Sequence, residues 1–432
     1  MRVISRFYFD QMETAIVRQG SFNKIHYGDI QQEQESEQMK LPLGFRYAGT
    51  ACGIKASGKE DLAIITTDAP AICAGVYTQN IVRAASIDWN RSLTPCDNFR
   101  ALVINSGNAN ACTGFEGIKN NQAMASAVGK HLDTEPANVG VLSTGVIGVQ
   151  LPMTEVTNGI AAAVKALSAE EESFTAASRA ITTTDQSPKT SHLTYNIDGD
   201  QVRISAMAKG AGMIGPRMAT MLGVVMTDAP LTPTVARSIL RTANEQSFNR
   251  ISVEGHMSTN DAVMLIATGR SKVKLDSAPL ISQLTAFISN TCIDLAKKIP
   301  SDGEGATHLI EIIVSGAKTD SDADRIARTI ANSALVKTAI TGGDPNWGRI
   351  VSAAGYAGAD IDADEISLKI NGHELFKKGQ PVKFSEKKVS AAIADNFETT
   401  IELQVGSGAG EFNHWTSDLT VDYVKFNSEY TT

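Results

Sequence analysis

The sequence predicts an α+β protein with its sheets and helices packed in layers. Apolar runs of strand length recur at Ala101–Asn105, Val139–Leu142, Met221–Met226 and His308–Val314, each bounded by small or polar residues. Between them lie helix-length amphipathic stretches, around 153–167, 171–181, 233–248 and 280–298. Strands and helices occur in mixed order in both halves, without the strict alternation of a doubly wound parallel sheet.

The first 40 residues read as an accessory extension. Met1–Phe9 is too short for a secretory leader and is followed by Asp10 and Glu13, and a solvated tract rich in Gln and Glu runs from Gln31 to Gln38. From Gly44 to about Ala85 the residue pattern suggests short hairpin strands, including Asp61–Thr67 and Ala74–Thr78. Ala101–Asn105 reads as a buried strand followed by the small-residue loop Ser106–Gly114. A helix starts near Ile118 and carries Met124, Val128 and His131 on one side. Val139–Leu142 is the next strand, and Ser143–Gly148 its loop. Beyond Met226, Thr232 followed by Pro233 is a hydroxyl cap with proline at the first helical position. The helix from Leu280 to Lys298 leads to a glycine loop, Asp302–Ala306. A strand then runs from His308, a helix spans Asp322–Thr338, and 366–431 reads as largely strand.

Composition narrows the chemistry. With 432 residues, 42% of them hydrophobic, the chain is long enough for a full core. A net charge of −8 without a basic cluster excludes the electrostatic footprint of a nucleic-acid or anionic-membrane surface. No apolar run reaches the ~18 residues of a membrane span. The five cysteines are odd in number, scattered and free of C-x-x-C spacing, so neither a disulfide framework nor a zinc site is expected, and a cytoplasmic location is. Small molecules are the expected partners, with no metal.

Three loops are built alike, Asn105–Asn110, Ser143–Gly148 and Lys209–Gly212. Each follows an apolar run, and their small residues let a substrate approach the backbone amides, which suits an oxyanion hole. Gly210–Gly215 spells G-x-G-x-x-G but ends in Pro216 instead of opening a helix, so it is not a dinucleotide fingerprint. No histidine sits beside a G-x-S-x-G elbow. What remains is Thr220, where the glycine-rich turn Gly210–Ala219 meets the strand at Leu222. If the Ala219–Thr220 bond were cut, Thr220 would carry hydroxyl and amine on neighbouring carbons, a nucleophile with its own base.

Asn105–Gly114, Ser143–Gly148, Thr183–Asp185, Lys209–Ile214, Met218–Leu222, Asp302–Thr307, Asp344–Arg349 and Asp418–Val424 together resemble the glutamate N-acetyltransferase family, also called ornithine acetyltransferase. The resemblance runs from about Leu41 to Thr432. It implies a layered α/β/β/α sandwich of the N-terminal-nucleophile hydrolase kind and self-cleavage before Thr220, giving an α chain 41–219 and a β chain 220–432. It further implies transfer of acetyl from N-acetylornithine to glutamate in cyclic arginine synthesis, with acetyl-CoA as a further donor in some members, and an α2β2 assembly. Carried over residue by residue, Thr220 is the nucleophile and Thr144 with Gly145 the oxyanion hole. Thr183, Lys209, Thr220, Glu304, Asn427 and Thr432 hold substrate. One departure stands out: Glu254-Gly-His-Met-Ser-Thr-Asn-Asp261 places His256 and Met257 where the family commonly has Asp and Thr. Two other readings remain open at this level, an amidase or aminopeptidase of related fold that passes the acyl group to water, and an uncleaved binding protein.

Overall fold

The computed structural model describes residues 39–215 and 221–429. In chain order its elements begin β1 (Phe45–Thr50), β2 (Leu62–Tyr77), α1 (Ala85–Leu93), β3 (Cys96–Asn108), α2 (Gly114–Leu132), β4 (Val139–Val146), α3 (Met153–Lys165), α4 (Glu171–Ala180), β5 (Lys189–Ile197) and β6 (Asp200–Lys209). They continue with β7 (Leu222–Thr227), α5 (Pro233–Gln246), β8 (Ile251–Ser252), β9 (Ala262–Ala267), α6 (Ala278–Ser301), β10 (Leu309–Ala317), α7 (Asp320–Ala331), α8 (Ala334–Thr341) and α9 (Trp347–Gly355). The last are β11 (Ser367–Ile370), β12 (His373–Lys377), β13 (Gln380–Pro381), α10 (Glu386–Ala394), β14 (Glu398–Gln404), β15 (Gly410–Ser417) and α11 (Val421–Glu429).

The larger sheet runs β4-β3-β2-β9-β7-β6-β5, with β1 also on β2. Its hinge is β2. Leu62–Thr66 pairs with β3 and Leu62–Thr67 with β1, whereas Ile72–Tyr77 pairs with β9. The ladder to β3 shifts register between Thr66 and Ala71, across Pro70, which has no N–H to contribute. The sheet folds back at this point. Ala63, Ile65, Leu102, Ile104 and Leu142 from one half share a core with Met207, Leu222, Val224, Met226, Met264 and Ile266 from the other. Ile64, Val103 and Val141, at alternate positions, face outward against Met124, Val128 and Ile160 of α2 and α3. On the far side Ile204, Val225, Val263 and Leu265 meet Ile239, Leu240, Leu284 and Ile288 of α5 and α6. The order of layers is therefore helix, sheet, sheet, helix, the predicted sandwich. It also explains why Met221–Met226 reads as an unbroken apolar run: β7 is buried on both faces.

A second sheet, β13-β12-β11-β14-β10-β15-β8, packs Ile310, Ile312, Ile401 and Leu403 against Ile326, Ile330, Ile350 and Val389 from α7, α9 and α10. It joins the sandwich where Trp415 and Leu309 enter the α5–α6 core. This junction places the Asp302–Ala306 loop beside the sandwich.

Several expectations change. Asp61–Thr67 and Ala74–Thr78 belong to one long strand. The helix expected over 322–338 is two, α7 and α8, because Ser333 accepts from Val336 N and starts a new helix. The region 366–431 holds α10 and α11 as well as strands. The cap at Thr232 stands, its Oγ1 accepting from Val235 N at 3.3 Å. Among the described residues no helix is long and apolar enough to cross a membrane.

Candidate active site

The site forms where the parallel strands β3 and β4 end together. Ser106 is in register with Thr144, and Gly107 with Gly145. Gly145 has φ +134°, and a Cβ there would stand 2.3 Å from the Gly107 carbonyl carbon. Only glycine permits so close an approach. The two strand ends are stitched from a third segment: Asn260 Nδ2 donates to Ala109 O at 2.6 Å and to Ser143 O at 2.7 Å.

Lys209, the last residue of β6, reaches this point from the other half of the folded sheet. Its side chain is fully buried, and Nζ donates to Thr144 Oγ1 at 3.3 Å. Burial lowers the ammonium pKa, while the carboxylate of Asp185 raises it. Asp185 Oδ1 in turn accepts from Gly210 N at 2.7 Å and Lys189 Nζ at 2.6 Å, and Oδ2 accepts from Thr183 N at 2.9 Å. Burial pushes the Asp185 carboxyl pKa up, but Lys209, Lys189 and the Gly210 N–H outweigh it and hold the value at about 2.

Because this pKa lies below its unfolded value, the ionised carboxylate stabilises the fold above the unfolded pKa. The contribution is lost as pH falls through the folded value. Asp185→Asn is expected to cost about 2 kcal/mol at neutral pH, with the gap to the wild type closing between about pH 4 and pH 2. Urea unfolding at stepped pH measures this; a gap that does not vary with pH would contradict it.

Glu304 occupies the opposite wall. Thr184 Oγ1 donates to its Oε1 at 2.7 Å and Asn427 Nδ2 to its Oε2 at 3.0 Å, while its backbone N–H donates to Ala211 O at 3.0 Å. Gly212 leaves the room: a Cβ there would be 2.4 Å from Oε2. Thr144, Gly145, Thr183, Lys209, Glu304 and Asn427 thus line one cleft of about 120 Å³. A larger cavity of about 490 Å³, between residues 39–46, Glu170 and Arg203, shares none of these residues and is lined by no hydroxyl or thiol side chain. The smaller cleft is the one that gathers Thr144, Lys209 and Glu304.

Ala219, Thr220 and Thr432 lie outside the described residues. Met221, next in sequence to Thr220, is buried and donates its N–H to Asp261 Oδ1 at 3.0 Å. His256 is exposed and Met257 contributes its carbonyl to Asn80; neither lines the cleft, which takes Ser258, Thr259 and Asn260 from the same loop. Asp185, Thr184 and Asn260 are contributors that sequence reasoning left without a role. The first two belong to the Thr183–Asp185 motif and the third to the Glu254–Asp261 stretch, so the signal was present in their neighbours. Among the described residues no group of His, Cys, Asp and Glu could hold a metal ion.

The fold is a layered α+β sandwich in which Lys209 and Glu304 line one cleft. The chain belongs to the ArgJ family, whose model matches residues 46–432, and is an enzyme of arginine biosynthesis. The arginine biosynthesis bifunctional protein ArgJ of Rhodopirellula baltica is 51% identical over 396 residues, covering 91% of this chain and 96% of that protein. The protein of the same name from Symbiobacterium thermophilum is 43% identical over 90% of this chain and 98% of its own. A solved structure of the ArgJ protein of Bacillus halodurans is 38% identical, covering 48% of this chain and 98% of that chain with a TM-score of 0.46.

Proposed function

We propose that the chain cuts itself between Ala219 and Thr220 and then moves acetyl groups from N-acetylornithine to glutamate through an ester on Thr220. The observation that carries this reading is the Lys209–Thr144 contact at the end of β4. Thr144 Oγ1 accepts a hydrogen bond at 3.3 Å, so its own proton remains available to a developing oxyanion beside the Gly145 backbone. In the acylation step Thr220 Oγ bonds to the acetyl carbonyl carbon and its α-amine takes the hydroxyl proton. Collapse of the tetrahedral intermediate breaks the amide bond, and ornithine leaves as the amine with that proton. Glutamate's amine then attacks the ester and regenerates Thr220, a ping-pong scheme.

The cleft's charges suit the donor, with Lys209 for its carboxylate and Glu304 for its side-chain ammonium. Thr183 and Asn427 complete the described contacts, and Thr432 belongs to the same proposed set. Cleavage need not separate the halves. β6 and β7 pair from Ile204–Thr227 to Lys209–Leu222, so one sheet spans the two products. Acetyl-CoA as a further acetyl donor and an α2β2 assembly belong to the same proposal. The test is direct. N-acetylornithine labelled in its acetyl group, mixed with glutamate in the absence of CoA, should yield labelled N-acetylglutamate; labelled acetate as the sole product would replace this reading with a hydrolase.

A further inference from the structure

The loop between β1 and β2 is fastened to the site by one buried carboxylate. Asp61 Oδ1 accepts from Cys52 N at 2.7 Å, and Oδ2 from Gly53 N at 3.1 Å, Ile54 N at 2.7 Å and Lys55 N at 2.9 Å. The Asp61 backbone is tied on both sides, its N–H donating to Thr50 O and its carbonyl accepting from Ser106 N, each at 2.9 Å. Ser106 is the residue in register with Thr144. So much bonding for a surface loop calls for an explanation beyond closure of a hairpin, which needs only a short turn.

Lys55 is what the loop presents. Its stem lies on Gly107, where an added Cβ would come within 3.1 Å of Lys55 Cγ, and Gly107 in turn lies against Gly145. The side-chain stem is therefore held one glycine layer from Gly145. Nζ donates to Glu60 O at 2.7 Å and forms no ion pair among the described residues, leaving donors for a ligand. The side chain is half-buried, and it shares the electrostatic environment of the cleft, its charge interacting with those of Lys209 and Asp185.

The two substrates of the proposed transfer differ in charge. N-acetylornithine brings one carboxylate and a side-chain ammonium, which Lys209 and Glu304 complement. Glutamate brings two carboxylates, and Glu304 would repel the second. We propose that Lys55 is a binding residue for the acceptor, pairing with the second carboxylate of glutamate. The assignment rests on the acetyl-transfer reading and gives a ping-pong enzyme a way to accept substrates of opposite side-chain charge at one cleft.

Two isotope exchanges on the purified full chain separate the halves of the reaction: labelled ornithine into N-acetylornithine without glutamate, and labelled glutamate into N-acetylglutamate without ornithine. Lys55→Met should raise the KM for glutamate in the second about 10- to 100-fold, the worth of a charged hydrogen bond, and keep ornithine exchange within about twofold. Lys55→Arg should restore most of the glutamate KM. An unchanged glutamate KM in Lys55→Met overturns the assignment. An equal loss in both exchanges overturns it too, since it would make the loop a scaffold for the oxyanion strands. If the wild type exchanges neither ornithine nor glutamate, the transfer reading itself fails, whatever Lys55 does.

Discussion

Thr220→Ala is expected to run on a denaturing gel as one chain of 45.9 kDa, where the wild type should give two of nearly equal size, and to lose acetyl transfer by about 10⁴-fold or more. Both losses follow from removing one oxygen. In the proposed scheme it attacks the Ala219 carbonyl in the first stage and carries the acetyl in the second. Alanine keeps the backbone and removes the only side-chain nucleophile between Gly210 and Met221. The β6–β7 ladder lies on either side of the cut, so the variant and the wild type should elute at the same native size. That combination separates a failure of cleavage from a failure of folding. Thr220→Ser, which retains a hydroxyl, should still split. A Thr220→Ala protein that also splits would sink self-cleavage by this residue.

The layered fold was legible because β4 and β7 are buried on nearly all their surface and show it as unbroken apolar runs, while α2, α3, α5 and α6 each bury one face. The fold-back of the sheet was not. It depends on β2 continuing through Asp68-Ala-Pro70, a turn-like triplet that a local reading takes as the end of a strand, and only the partners on both sides hold it extended. Short helices near the end escaped for the opposite reason. α10 buries only Val389 and Ile393, and α11 buries no residue, so neither carries a periodic apolar signal. In the site, Thr144 and Gly145 were readable as a strand-end loop of small residues. The groups that fix them were not, since their contacts span the chain: Asn260 reaches Ser143 across 117 positions, and Glu304 is held by Thr184 and Asn427 across 120 and 123. Spacing in sequence carries no information about such pairs.

Thr144→Val should lower kcat about 10²- to 10³-fold, the usual cost of one oxyanion donor, while the KM for each substrate changes little. In the proposed scheme the hydroxyl is a donor: Lys209 Nζ points a proton at Oγ1, which leaves the Thr144 proton for the oxyanion. The variant carries a second, structural cost. It strips the buried Lys209 of an acceptor and should destabilise the fold by about 1–3 kcal/mol, visible in urea unfolding and separable from kcat. Thr144→Ser restores the oxygen and should recover most of both. Every acyl transfer in the scheme forms its oxyanion at this one place, whether the amine is ornithine or glutamate. Thr144→Val should therefore depress the ornithine and glutamate exchanges by the same factor, in contrast to Lys55→Met, which should reach only the acceptor half. A Thr144→Val enzyme with normal kcat and a raised KM would instead place that hydroxyl on the bound substrate, not on the transition state.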